Sequence, residues 1–363
     1  MPDQRITLKD IAQRVGVSTG TVDRVVHKRG HVSAEIRDRI EHAMKEMGYA
    51  PNLAARSLAN NNKPFRIAVI LPDYRQDPYW AQPKEGVERA AESVRHYNVQ
   101  TEFFSFSMFQ PRDFLESVDK ALESGPGAIL AAPLFLEEAK ILLNGCQQQN
   151  IPLVFINTDI EGADILSYIG QDSYQSGVLA GRLLNFGLSD GDHAMLVNLD
   201  KEVSNARHLQ DKERGFKDYF NGLEKKSIQI HTAVLENFDE PAFMQEWAKR
   251  QFEHIPRLTG FFVTNSRAYK LVEAMDTAVQ DRVKIVGFDL IEPNLKLLAQ
   301  GKIRFLINQN AWHQGYLGIL TLVNKMLMSK EIPRTQYLPL DIIVKENVEY
   351  YLKRTLELPM VIV

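Results

Sequence analysis

Apolar residues recur at helical spacing through the first 47 positions and gather into short continuous runs from residue 65 onward, so two kinds of structure follow one another along the chain. Leu8, Ile11, Ala12 and Val15 stand at i, i+3, i+4 and i+7, and Thr7 with Asp10 forms a capping-box pattern at the start of that stripe. Gly16 supplies a stop. Ser18 caps a second stripe of Val22, Val25 and Val26, and the few residues between the two predict a steep crossing in the helix-turn-helix manner, although a generic helical hairpin has the same pattern. A third helix is predicted from Ser33, with Ile36, Ile40, Ala43, Met44 and Met47 on one face and Gly48 as its end. Pro51 and Asn52 then open a helix of about eight residues, too short to be stable alone.

Beyond Phe65 the runs at 66–71, 101–104, 128–132 and 153–157 read as one series of strands, and those at 195–198, 228–235, 260–263, 284–288 and 304–308 as a second. Helical segments lie between them. Strands alternating with helices imply parallel sheets, and two series imply two doubly wound lobes, giving an α/β chain behind an all-α N-terminal segment. Ligands of such sheets collect at the carboxyl ends of strands. That places Asp73, Asp77, Tyr79 and Trp80 after the first strand, Asn157 and Thr158 after the fourth, and Asn265, Asp289 and Gln309 at ends in the second series. The amides and acids suit neutral hydroxyl groups. The aromatic pair has two readings, core filling or a binding platform.

The run 7–26, His-Val-Ser at 31–33, Gly-Tyr-Ala-Pro-Asn at 48–52 and Ala-Arg-Ser-Leu-Ala at 55–59 together resemble the DNA-binding headpiece and hinge helix of the lac repressor (LacI/GalR) family. The resemblance implies operator DNA with a near-palindromic site and a homodimer as partners. It gives base-contact roles to Thr19, Gly20, Arg24, His31 and Leu58, with Leu58 wedging into the minor groove from a hinge at 52–60. Ser18, Thr21, His27, Ser33 and Asn52 fit phosphate positioning. Gly20 offers no side chain for reading. Asp23 stands where relatives carry a small hydroxyl residue, and either pairs with a basic neighbour or accepts from a cytosine amino group.

The remainder resembles the periplasmic sugar-binding fold that serves the same family as effector domain, and implies three crossings between lobes, placed near Ile160, Asn308 and Arg334. It matches Tyr79 and Trp80 to the aromatics that stack on a sugar ring. Relatives place an arginine about six residues before the Gly-Phe pair at 215 and 216, where this chain has Gln210, with Arg207 nearby. With no arginine placed, a neutral sugar or polyol is favoured over a carboxylate or phosphate. The implied organisation is a headpiece at 1–50, a hinge at 51–62, an effector and dimerisation domain at 63–355, and a tail at 356–363. Its first lobe covers 64–160 plus 309–333, and its second 161–308 plus 334–355.

Charge supports this division. Residues 1–62 hold 10 Lys and Arg against 7 Asp and Glu, while the whole chain is at −3, so the basic excess sits at one end. No phosphate-cradling glycine loop follows the first strand, and no catalytic constellation, cofactor motif or metal-ligand spacing emerges. The single Cys146 suits a reducing cytoplasm, and no signal peptide or 18-residue apolar run is seen. A ligand-responsive repressor is the leading function. An activator or co-repressor-dependent regulator shares the scaffold, and an enzyme on the same lobes is the outlying alternative.

Overall fold

The computed structural model describes residues 8–26, 30, 32–47, 64–201 and 205–357. The roles expected of Thr7, His27, His31, Gly48, Asn52 and Leu58, and of the whole hinge, lie outside the described residues. Contacts divide the chain into two units, 1–63 and 64–363.

In the first unit, α1 (Leu8–Val15), α2 (Thr19–Val26) and α3 (Ala34–Glu46) enclose Ile11, Ala12, Val15, Val22, Val25, Ile40 and Ala43. The turn after α1 needs Gly16, whose φ of +76° lies in the region L side chains avoid. Arg39 on α3 donates to the Val15 carbonyl at 2.8 Å, which satisfies an otherwise open acceptor at the end of α1. Ser18 caps α2 by accepting from the Thr21 amide at 3.1 Å.

The second unit holds two six-stranded sheets. The strands are β1 (Phe65–Pro72), β2 (Val99–Phe106), β3 (Ala128–Ala131), β4 (Leu153–Ile156), β5 (Ser167–Gly170), β6 (His193–Asn198), β7 (Gln229–Val234), β8 (Leu258–Val263), β9 (Lys284–Phe288), β10 (Phe305–Asn308), β11 (Thr335–Tyr337) and β12 (Asp341–Ile343). Their orders are β11-β5-β4-β3-β1-β2 and β12-β10-β9-β8-β6-β7, the same plan twice. All pairs are parallel except β10 with β12. Helices cover both faces, so central strands are apolar throughout. In β8, Phe261 and Val263 enter one core cluster and Phe262 another.

Two expected crossings are corrected. Strand β5 and strand β11 belong to the first sheet, so the chain passes between lobes at 171–172 rather than near Ile160, and at 338–340 rather than near Arg334. The intermediate crossing follows Asn308, and the next helix, Ala311–Met326, buries Ile319, Leu322 and Val323 in the first lobe's core. Ser-Tyr-Ile-Gly and Thr-Gln-Tyr are strands of four and three residues beside and at a sheet edge, without the apolar run that marks the centre. The three crossings lie side by side, and Gln171 Nε2 donates to the Asn308 carbonyl at 2.9 Å and the Pro339 carbonyl at 3.1 Å.

Candidate functional site

On α2, Thr19 and Gly20 in its first turn and Arg24 in its last are exposed, and Thr21 and Asp23 are half-buried. Ser18 and Thr21 share a hydroxyl hydrogen bond of 2.8 Å besides the cap. Ser33 is exposed at the start of α3. A Cβ at Gly20 would meet nothing nearer than Ser18 Oγ at 3.8 Å, so the fold does not demand glycine there.

In the second unit the carboxyl ends of both sheets face a cavity of about 50 Å³ that opens to solvent. The first lobe contributes Asp77, Tyr79, Trp80, Met108, Leu134, Phe135 and Asn157, and the second Asp200, His208, Lys212, Asn265, Ser266, Arg267, Asp289 and Gln309. Asp77 caps the short helical turn Pro78–Trp80 through the Tyr79 amide at 3.0 Å, which turns both rings inward. They meet edge to face with centroids 4.9 Å apart. Asn157 Nδ2 donates to Tyr79 Oη at 2.8 Å.

Asp77 also ties the lobes together, accepting from Ser266 Oγ at 3.0 Å and from Arg267 Nη2 at 2.9 Å. Arg267 is only 4% exposed. Its other nitrogen reaches the Leu199 carbonyl at 2.7 Å and Asp200 at 3.4 Å, and its plane lies 4.9 Å from the Phe238 ring centre. The second cation, Lys212, is buried on the helix Arg207–Asn221. That helix crosses Ser173–Asn185 so closely that a Cβ on Gly177 would lie 2.0 Å from the Lys212 carbonyl, and one on Gly215 would lie 2.0 Å from the Tyr174 carbonyl. Burial pushes the Lys212 ammonium down and the Asp289 carboxyl up, and each partly offsets the other's shift.

His208 stands one turn before Lys212. Burial, and then the Lys212 charge, push its imidazole down to about 3, so it is neutral at physiological pH. Thr158 Oγ1 donates to Asn157 Oδ1 at 3.3 Å, which leaves it to accept at 3.2 Å from His208 Nδ1. The imidazole therefore keeps Nε2 as an acceptor. Asp289 Oδ2 accepts from Gln309 Nε2 at 2.8 Å, and Asp289 Oδ1 is buried with no hydrogen-bond partner. The wall thus sets three carboxylates against two engaged cations and leaves acceptors open.

Of the residues expected here, Asp77, Tyr79, Trp80, Asn157, Asn265, Asp289 and Gln309 meet in the cavity, and Asp73, Arg207 and Gln210 do not. Asp73 turns to Arg75 at 2.6 Å, which holds its carboxyl below the usual range. Arg207 faces outward to Glu161 at 2.7 Å and Asp211 at 3.4 Å, and Gln210 is exposed, because the inward face of that helix is 208 and 212. An arginine is present after all, as Arg267, two residues past the end of the loop position read for Asn265. Lys212 carried a signal: it interrupts an apolar stripe of Leu209, Phe216 and Phe220.

Residues 67–330 match the periplasmic binding protein domain, and residues 7–52 match the bacterial regulatory proteins of the lacI family. The chain belongs to the lacI family of regulators. The HTH-type transcriptional regulator MalR of Streptococcus pneumoniae serotype 4 is 25% identical over 94% of this chain and 99% of its own. The ribose operon repressor of Bacillus subtilis is 28% identical over 78% of this chain and 81% of its own. A solved putative LacI transcriptional regulator from Bacteroides fragilis superposes with a TM-score of 0.71 at 24% identity, covering 80% of this chain and all (100%) of that one. This lacI-family chain is a ligand-responsive DNA-binding regulator. Among its described residues no helix is long and apolar enough to cross a membrane, and no group of three or more metal-ligating side chains occurs.

Proposed function

We propose that the protein is a homodimeric, cytoplasmic repressor of carbohydrate-uptake or catabolism genes, acting by binding rather than catalysis, with a neutral sugar or polyol in the cleft switching its operator affinity. Asp289 carries the reading of the ligand. One oxygen of its buried carboxylate has no partner, and burial of an unpaired acceptor is costly unless a donor arrives. Arg267 and Lys212 are already occupied by Asp77, Asp200, Thr264 and Gln309, so an anionic ligand would meet surplus carboxylate and no available cation. Neutrality was expected from the lack of an arginine; it is supported instead by an arginine that is spoken for. Tyr79 and Trp80 supply an apolar face for ring C–H groups. The curated relative named a ribose operon repressor makes a monosaccharide reasonable.

For the headpiece we propose Thr19, Gly20, Arg24, His31 and Leu58 at the bases and Ser18, Thr21, His27, Ser33 and Asn52 at the phosphates, within the division 1–50, 51–62 and 63–355. Duplexes selected from a random pool by the full-length protein should share a near-palindromic site, and D-ribose, D-galactose or D-glucose should weaken retention. Retention strengthened by the sugar would reverse the sign and make it a co-repressor. Stabilisation by ribose 5-phosphate or gluconate alone would sink the neutral-ligand reading.

A further inference from the structure

We infer that Lys212 is a positioning residue which turns the Gln309 amide so that its N–H fills Asp289 Oδ2, leaving Oδ1 to pair with a ligand hydroxyl. The inference rests on the cavity's being the effector site. Its steps are fixed by what each group can do. A lysine ammonium has donors and no acceptor, and Lys212 Nζ lies 3.1 Å from Gln309 Oε1. The amide oxygen must face it, because the flipped amide would set N–H against N–H. Gln309 Nε2 then points at Asp289 Oδ2, 2.8 Å away. One carboxylate oxygen is thereby filled, and Oδ1 is left buried and open.

Each member is held in place. Lys212 Nζ also donates to the Thr264 carbonyl at 3.1 Å and lies 3.8 Å from the Phe288 ring centre, so its position does not depend on a ligand. Gln314 Nε2 donates to the Gln309 carbonyl at 2.9 Å, and the Asp289 amide donates to the Ile307 carbonyl at 3.0 Å. Lys212 is 2% exposed, with two of its N–H donors on the Thr264 and Gln309 oxygens and its ammonium over the Phe288 ring. The other charged or titratable side chains on the cavity are Asp77, Asp200, His208, Arg267 and Tyr79, and Asp77 and Arg267 answer each other. A hydroxyl-reading point follows: Oδ1 pairs with a ligand hydroxyl there, and a deoxy position leaves it buried and unpaired.

The test uses the full-length chain with D-ribose, D-galactose and D-glucose, each titrated by calorimetry and thermal melting at pH 6 and pH 8. Lys212→Met should lose at least tenfold in affinity for whichever of these sugars stabilises the wild type. Without sugar, its melting penalty should be larger at pH 8 than at pH 6, because removing the Lys212 charge makes ionising the buried Asp289 carboxyl more costly. Adding Asp289→Asn to Lys212→Met should remove that pH difference. Should Lys212→Met fail to fold, Gln309→Met breaks the same relay, and the same loss of at least tenfold is expected. Wild-type affinity in either variant, or a melting penalty of Lys212→Met equal at both pH values, would overturn the inference. If none of the three sugars binds the wild type, the effector reading fails separately, and the ligand-free pH comparison still decides the relay.

Discussion

Each lobe ends its fourth strand in chain order on a residue in the left-handed region, Asn157 at φ 68° in the first and Asp289 at φ 70° in the second, and the two have different duties. Asparagine and aspartate tolerate that conformation better than most residues, so the same backbone bend aims both side chains at the cleft. Asn157 spends its amide on Tyr79 and serves the shape of the wall, whereas Asp289 keeps an oxygen open. The difference extends around the cavity. Aromatic and aliphatic groups come mainly from the first lobe, and charged and amide groups mainly from the second. A duplicated scaffold has thus been divided into a platform and a reader. Helix packing repeats as well: Gly177 and Gly215 form a close crossing in the second lobe, and Gly86 and Gly315 in the first, where an added Cβ would lie 2.0 Å from the Trp312 and Pro83 carbonyl oxygens.

The comparison can be broken hardest where the lobes are joined. Arg267→Met leaves the buried Asp77 carboxylate beside an apolar side chain, and chemical denaturation should show a loss of about 3–5 kcal/mol, the usual cost of orphaning one side of a buried pair. A loss under about 1 kcal/mol would mean that the lobes do not depend on this contact. A smaller effect is expected from Asn157→Ala, which strips Tyr79 Oη of its 2.8 Å donor and leaves only Gln314 at 3.5 Å. Melting should report about 1–3 kcal/mol there, with sugar affinity falling less than in any Asp289 variant. The smallest effect concerns acid. His208 has its folded pKa pushed from 6.5 to about 3, so between those values the unfolded chain binds the extra proton and stability falls as pH drops. His208→Gln should flatten that decline below pH 6.5, seen as a weaker dependence of Tm on pH; an unchanged slope would assign the decline elsewhere.

Much of the platform and part of the reader were legible in the sequence, for reasons that particular residues make plain. The stripe of Leu8, Ile11, Ala12 and Val15 and the run at 66–71 announce a helix and a buried strand because burial is continuous along them. Asp289 and Gln309 were found because strand ends can be counted. Strand β5, with Ser167 and Gly170 among its four residues, gives no such run, and the crossing after it was misplaced. His208 and Lys212 depend on which face a helix turns inward, and Arg207, one residue before His208, faces the other way. Arg267 was invisible because its ion pair joins residues 190 positions apart, Asp77 in one lobe and Arg267 in the other.

The division of labour is tested most directly at Asp289. Calorimetric titration of the full-length protein with D-ribose, D-galactose, D-glucose and ribose 5-phosphate should give binding of a neutral sugar. Affinity for that sugar should fall about tenfold to a hundredfold in Asp289→Asn, the cost of losing a hydrogen bond to a charged group. Equal affinity in wild type and Asp289→Asn, or binding of ribose 5-phosphate alone, would contradict the account.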